Sequence, residues 1–149
     1  MRTVTQLRMA GSAVALYTGW NARSLVEAWQ HSPFDREDAI AWIIWIVPVF
    51  LSLREGREIR FGWVGTALAL AFAGVVLDLN LLRHLAFGLA CAGLTAPRRG
   101  FWLWLPMALT WMPVLGWFLS KGDLGLMTVG LLRVSLATIG TVGYLAWKR

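Results

Sequence analysis

The sequence predicts an all-α fold: a polytopic transmembrane helical bundle of about six spans, with both termini on the cytoplasmic side. Three observations carry this reading. The chain of 149 residues is 58% hydrophobic, has a mean hydropathy of +0.60 and is only 15% charged, whereas a soluble domain would be nearer a quarter charged. Its apolar residues come in blocks separated by short charged clusters, the layout of a multi-span membrane protein. Lysine and arginine segregate to alternate gaps between the blocks, as the positive-inside bias requires. Period-two alternation is absent, which argues against a membrane barrel. No Pro/Ser/Gly linker or low-complexity tract divides the chain, so residues 1–149 read as a single integral-membrane domain.

The first span covers residues 9–26. The N-terminal MRTVTQLRMAGSAVALYTGW has the basic start and apolar centre of a signal peptide. Its nearest cleavage option, Trp20-Asn21-Ala22, places tryptophan where a small residue is needed, so the segment reads as an uncleaved span. The second span runs over 33–53. Ser32 suits its N-cap, Pro33 its first helical position, and Asp35, Glu37 and Asp38 complement the helix dipole. The third is 61–77. The fourth is 81–96, closed by Pro97. The fifth is 101–120, with Pro106 and Pro113 inside it, and the sixth is 124–147. Several are shorter than the roughly 20 residues of a perpendicular crossing, so they begin in the interface or thin the bilayer.

With the N-terminus inside, the inner segments hold Arg2, Arg8, Arg54, Arg57, Arg60, Arg98, Arg99, Lys148 and Arg149. The outer ones hold Arg23, Arg36, Arg83 and Lys121. This split places the chain as a multi-pass protein of the cell's inner (cytoplasmic) membrane, and it needs an even number of spans. Tryptophans 20, 29 and 117 fall near the outer edge and 63, 102, 104 and 147 near the inner one. The formal charge of +6 and the pI near 10.7 do not indicate nucleic-acid binding, because the basic residues form no continuous face.

Arg133 is the single charged residue between Leu124 and Trp147. Nine residues into the sixth span it lies about 13 Å deep at ~1.5 Å per residue, and its side chain leans back toward the outer face. An ionisable group at that depth faces a bundle interior or a cavity and has a partner, or it snorkels. On the outer side LDLNLLRH offers Asp78, Asn80, Arg83 and His84, and the acidic cluster at 35–38 heads span two. Asp78, flanked by apolar residues at a span end, is the expected partner. The predicted intramembrane polar site is therefore Arg133, Asp78, Asn80 and Arg83.

The candidate catalytic residues are Cys91, Arg133 and His84. A Cys–His dyad would activate a thiolate, but Cys91 and His84 are seven residues apart on one helix, about 10 Å along its axis. Cys91 lies in LACAGLTA, an apolar stretch where a thiol serves as a small packing residue. As the sole cysteine it forms no internal disulfide. The run DRED at 35–38 reads as a cation or basic-peptide site or as a solvated helix start. His31 reads as a loop residue. Zinc-ligand spacing and phosphate-binding glycine loops are absent, so no metal and no cofactor is expected. Gly88, Ala92 and Ala96, spaced by four, form a close-packing stripe.

The order of features is similar to that of a known family. A basic start and a span lead to a Trp-containing loop with a proline and an acidic cluster. A span ending LSLREGREIR, an apolar span and WLWLPMALTWMPVLGWFL follow. This pattern, over residues 10–147, resembles the N-terminal half of the exosortase/archaeosortase membrane proteins. The matching prolines are Pro106 and Pro113, with Met112 before Pro113 and Gly116 after it. The resemblance implies a transpeptidase acting on C-terminal sorting signals through an outward-facing Cys, Arg and His. Ala90-Cys91-Ala92-Gly93-Leu94 matches the start of the family's Ala-Cys-Ser-Gly-hydrophobic-Arg motif, without the arginine. Arg133 resembles the arginine of its Asn-x-x-Arg, with Gly130 in place of asparagine. The topology also puts Cys91 in the inner half of its span. The resemblance thus implies a short non-catalytic relative, or a half-molecule working with a membrane protein partner.

Three function classes follow. One is a non-enzymatic membrane component, exosortase-like, that docks a partner in protein sorting or surface export. Another is a minimal membrane cysteine transpeptidase. The third is a small transporter or channel with an outer polar site, working as a homo-oligomer.

Overall fold

The computed structural model describes residues 2–55 and 59–147. Among them the chain is helical, with no strand. The elements are α1 (Arg2–Asn21), α2 (Ser24–His31), α3 (Asp38–Arg54), α4 (Phe61–Val76), α5 (Asn80–Gly93), α6 (Phe101–Trp104), a 3-10 segment (Leu105–Trp111), α7 (Pro113–Ser120) and α8 (Leu126–Ala146). Of the basic residues used for orientation, Arg57, Lys148 and Arg149 lie outside the described residues.

Three expected segments are shaped differently. The block at 9–26 breaks: Asn21 Nδ2 takes the Tyr17 carbonyl at 2.9 Å, and Ala22 N–H turns back to Thr18 and Gly19. A side-chain amide that competes for a backbone carbonyl is a helix terminator. Ser32 does not cap α3; its N–H closes α2 on Ala28 at 2.9 Å. Residues 33–37 form turns, and α3 starts at Asp38. The block at 101–120 bends by 70° between Trp111 and Pro113. Pro113 has no N–H for the carbonyl of Leu109, which Met112 N–H takes at 3.2 Å, with Met112 in an extended conformation.

The chain groups into two compact units, Met1–Ser24 with Val49–Ala96 and Leu25–Pro48 with Pro97–Arg149. In the first, α1, α4 and α5 pack on one another. α5 lies close to its neighbours because its buried residues are small: Ala86, Gly88, Ala90, Cys91, Ala92 and Gly93. At Gly93 a Cβ would stand 2.8 Å from Val64 Cγ2, and at Gly74 it would stand 2.9 Å from Arg83 Cγ. Asp78 sits between α4 and α5 at φ 52, a left-handed position that aspartate tolerates.

The second unit has an aromatic core. Trp45 and Trp104 stack with centroids 4.5 Å apart and planes 6° from parallel. Each indole also donates to the other's backbone carbonyl: Trp45 Nε1 to Trp104 O at 3.0 Å and Trp104 Nε1 to Trp45 O at 2.8 Å. Both rings are fully buried, and a buried indole N–H needs such a partner. Phe101, Trp111 and Tyr144 complete the cluster. Pro48, within α3, leaves the Ile44 carbonyl without its helical N–H, and Thr141 Oγ1 of α8 donates to it at 3.2 Å. α8 meets α6 and the 3-10 segment through glycines: Gly140 faces Met107, and Gly100 faces the backbone of Tyr144.

The surface carries large apolar side chains, among them Met127 (78% exposed), Leu16 (76%) and Phe72 (71%). Among the described residues one helix, α8, is long and apolar enough to cross a membrane; the bent pair 101–111 and 113–120 makes a second if taken as a single span. α4 is apolar but shorter.

Candidate functional site: a buried arginine–carboxylate cluster

Arg133 has no exposed surface. It lies on the stripe of α8 formed by Val129, Gly130, Arg133, Ala137 and Gly140, all buried. Its guanidinium meets groups from three segments. Nη1 donates to the Phe34 carbonyl and to Asp35 Oδ1, each at 3.1 Å, and forms an ion pair with Asp38 Oδ1. Nη2 donates to the Met112 carbonyl at 3.2 Å. Asp38 is fully buried and Asp35 nearly so.

Local sequence explains each partner. The turns at 33–37 bring the Phe34 carbonyl and the Asp35 side chain to the same guanidinium that Asp38 reaches from the first residue of α3. The break before Pro113 starts α7 afresh: Leu115 N–H bonds Met112 rather than Trp111. The Trp111 carbonyl, relieved of Leu115, takes Trp29 Nε1 at 3.3 Å, and the Met112 carbonyl accepts Arg133 as a donor beside Leu115. Two glycines make the room. A Cβ on Gly116 would collide with Asp35 Oδ1 and the Arg133 guanidinium, and one on Gly130 would stand 2.9 Å from Glu37 Cγ. A buried arginine held by carboxylates and carbonyls is costly to assemble and costlier to break, because removing one side strands the other.

The expected partner of Arg133 is therefore corrected. Asp78 pairs with Arg83 at 2.7 Å, and Arg83 also reaches Asn80 Oδ1 at 3.2 Å and the Gly74 carbonyl at 3.1 Å. Asp78, Asn80 and Arg83 lie together in the first unit. The Asp78 side chain is 90% exposed, where an ion pair contributes little. The Cys91–His84 dyad does not form: His84 Nε2 is hydrogen bonded to Ser24 Oγ at 2.9 Å, and Cys91 is buried. No group of three metal-ligating side chains occurs among the described residues.

The signal for the Arg133 partners was present in the sequence. The DRED cluster stands at the end from which α8 enters, and it holds more acids than any other gap. The apolar flanks of Asp78 belong to an exposed turn. Nothing in the sequence pointed to the Ser24–His84 contact, which joins residues 60 apart.

No family model, curated protein or solved structure matches the chain.

Proposed function

We propose that this chain is a multi-pass protein of the cytoplasmic membrane, with the six segments above crossing or entering the bilayer and both termini inside. It acts there as a non-catalytic, exosortase-like component that docks a membrane partner in protein sorting or surface export. The observation that carries this reading is the polarity of the fold. An arginine and two aspartates are internal, while Met127, Leu16, Phe72 and Phe118 face outward. Water favours the reverse, and an apolar surface of this kind marks a membrane or partner contact. The non-catalytic part rests on Cys91 being enclosed and on His84 being engaged by Ser24. Arg133 here serves architecture, joining α8 to the start of α3 and to α7.

Topology is tested by single cysteines in a Cys91→Ala background, labelled in intact cells with a membrane-impermeant maleimide. Cysteines at Gln30, Asp78 and Gly122 should react, and those at Glu55 and Arg98 should react only after permeabilisation. Reaction at all five would remove the multi-pass reading. The sorting role is tested by deleting the gene in its host. Envelope proteins with C-terminal sorting tails should then remain unprocessed, and normal processing would overturn that role.

A further inference from the structure

Asp35, Asp38 and Arg133 are the only carboxylate or cationic side chains buried among the described residues. Two acids face one base, so the enclosed set carries an excess negative charge if both acids are ionised. Glu37, half-buried beside Gly130, adds to the imbalance. Arg36 on the same turn is exposed, and neither α7 nor the 3-10 segment contributes a charged side chain. Isolated buried charge is so costly that such a group is neutralised instead.

A second observation points the same way. Asp38 Oδ2 and Arg133 Nε are buried and have no hydrogen-bond partner among the described residues. A carboxylate oxygen left bare in the interior is costly. A proton on one of two acids gathered at one guanidinium leaves them a single charge and removes their repulsion. A metal ion fits the site less well. Gly116 has to be glycine because Asp35 and Arg133 already fill the space beside α7, and among the described residues no third ligating side chain joins the two acids.

We propose that the Asp35–Asp38 pair is a proton-binding site holding one proton at neutral pH, so that with Arg133 the buried set is neutral. This goes beyond the sorting role and does not depend on it. The proton is exchangeable and sits where α8, α7 and the start of α3 meet. A change in its occupancy acts on all three.

The test is infrared spectroscopy of the purified full chain in detergent at neutral pH. A protonated carboxyl has a C=O stretch that carboxylates lack, and it shifts in heavy water. The expected result is such a band, moved by 13C-carboxyl aspartate labelling. The other two aspartates, Asp78 and Asp123, are exposed, so a labelled band from an enclosed carboxyl reports the buried pair without any substitution. Asp38→Asn or Asp35→Asn should abolish it in whichever variant folds. Absence of the band from the folded wild type would overturn the proposal. So would a band insensitive to aspartate labelling, or Na+-dependent stabilisation (against choline) without a band.

Discussion

Arg133 is the residue on which the second unit turns. Replacing it with methionine leaves Asp35 and Asp38 without their counter-charge and removes a donor from the Phe34 and Met112 carbonyls. The expected loss is about 3–5 kcal/mol, read as a lower unfolding midpoint of the full chain in detergent. Adding Asp35→Asn and Asp38→Asn to Arg133→Met should recover most of that loss, since the cost is the stranded charge. A triple variant no more stable than the single one would show the arginine acting by packing alone. Gly116→Ala tests the same cage by volume, with about 1–3 kcal/mol expected from overpacking. At Gly65 a new Cβ meets nothing within 4 Å, so Gly65→Ala should be neutral or stabilising by up to about 1 kcal/mol. The arginine was legible in the sequence as an anomaly, because a charge stood alone in an apolar run. Its partners were signalled only as a cluster, the acids at 35–38, and not one by one. Which acid a guanidinium reaches depends on turn geometry at 33–37, and periodicity carries no information about turns.

At the level of elements, prolines decide where helices change direction and which carbonyls they release. The break at Pro113 bends the 101–120 block and leaves the Trp111 carbonyl to Trp29; Pro48 opens Ile44, which Thr141 then serves. Thr141→Val should cost about 1 kcal/mol in the wild type. In a Pro48→Ala background the cost should fall toward zero, because the restored N–H takes the Ile44 carbonyl. A double-mutant cycle in thermal unfolding measures the difference, and equal costs in both backgrounds would mean the hydroxyl is not compensating for the proline. The sequence showed where the helices lie far better than how they end. Apolar blocks at 61–77, 81–96 and 124–147 became α4, α5 and α8 with their ends trimmed by a few residues. The block at 9–26 failed as one element because Asn21 closes a turn locally, a feature that hydropathy averages away. Ser32 and Pro33 carry the signature of a helix start, yet they close α2 and lead into the turns that hold Arg133.

Across the whole molecule, apolar groups face out and the few charges that are enclosed are tied together. Cys91, inside the first unit, samples that enclosure. It should resist both permeant and impermeant maleimides in the folded protein and react quantitatively once the chain is unfolded. Fast labelling of the native protein would place it against water and revive a thiol-based activity. Two exposed tryptophans carry cations over their faces, Lys121 Nζ at 3.8 Å from the Trp117 ring centroid and Arg23 at 5.8 Å from that of Trp20. In the proposed topology such amphipathic pairs suit the boundary between lipid and water.

The separation of Arg133 from its acids along the chain has a consequence for biosynthesis. Asp35 is made 98 residues before the arginine, a delay of about 5–20 s at the elongation rates of about 5–20 residues per second. The acids therefore wait through that interval, and α8 arrives after the other described helices with its counter-charge already made. A nascent chain halted before α8 would hold that site open, exposed to whatever quality-control machinery recognises unpaired charge.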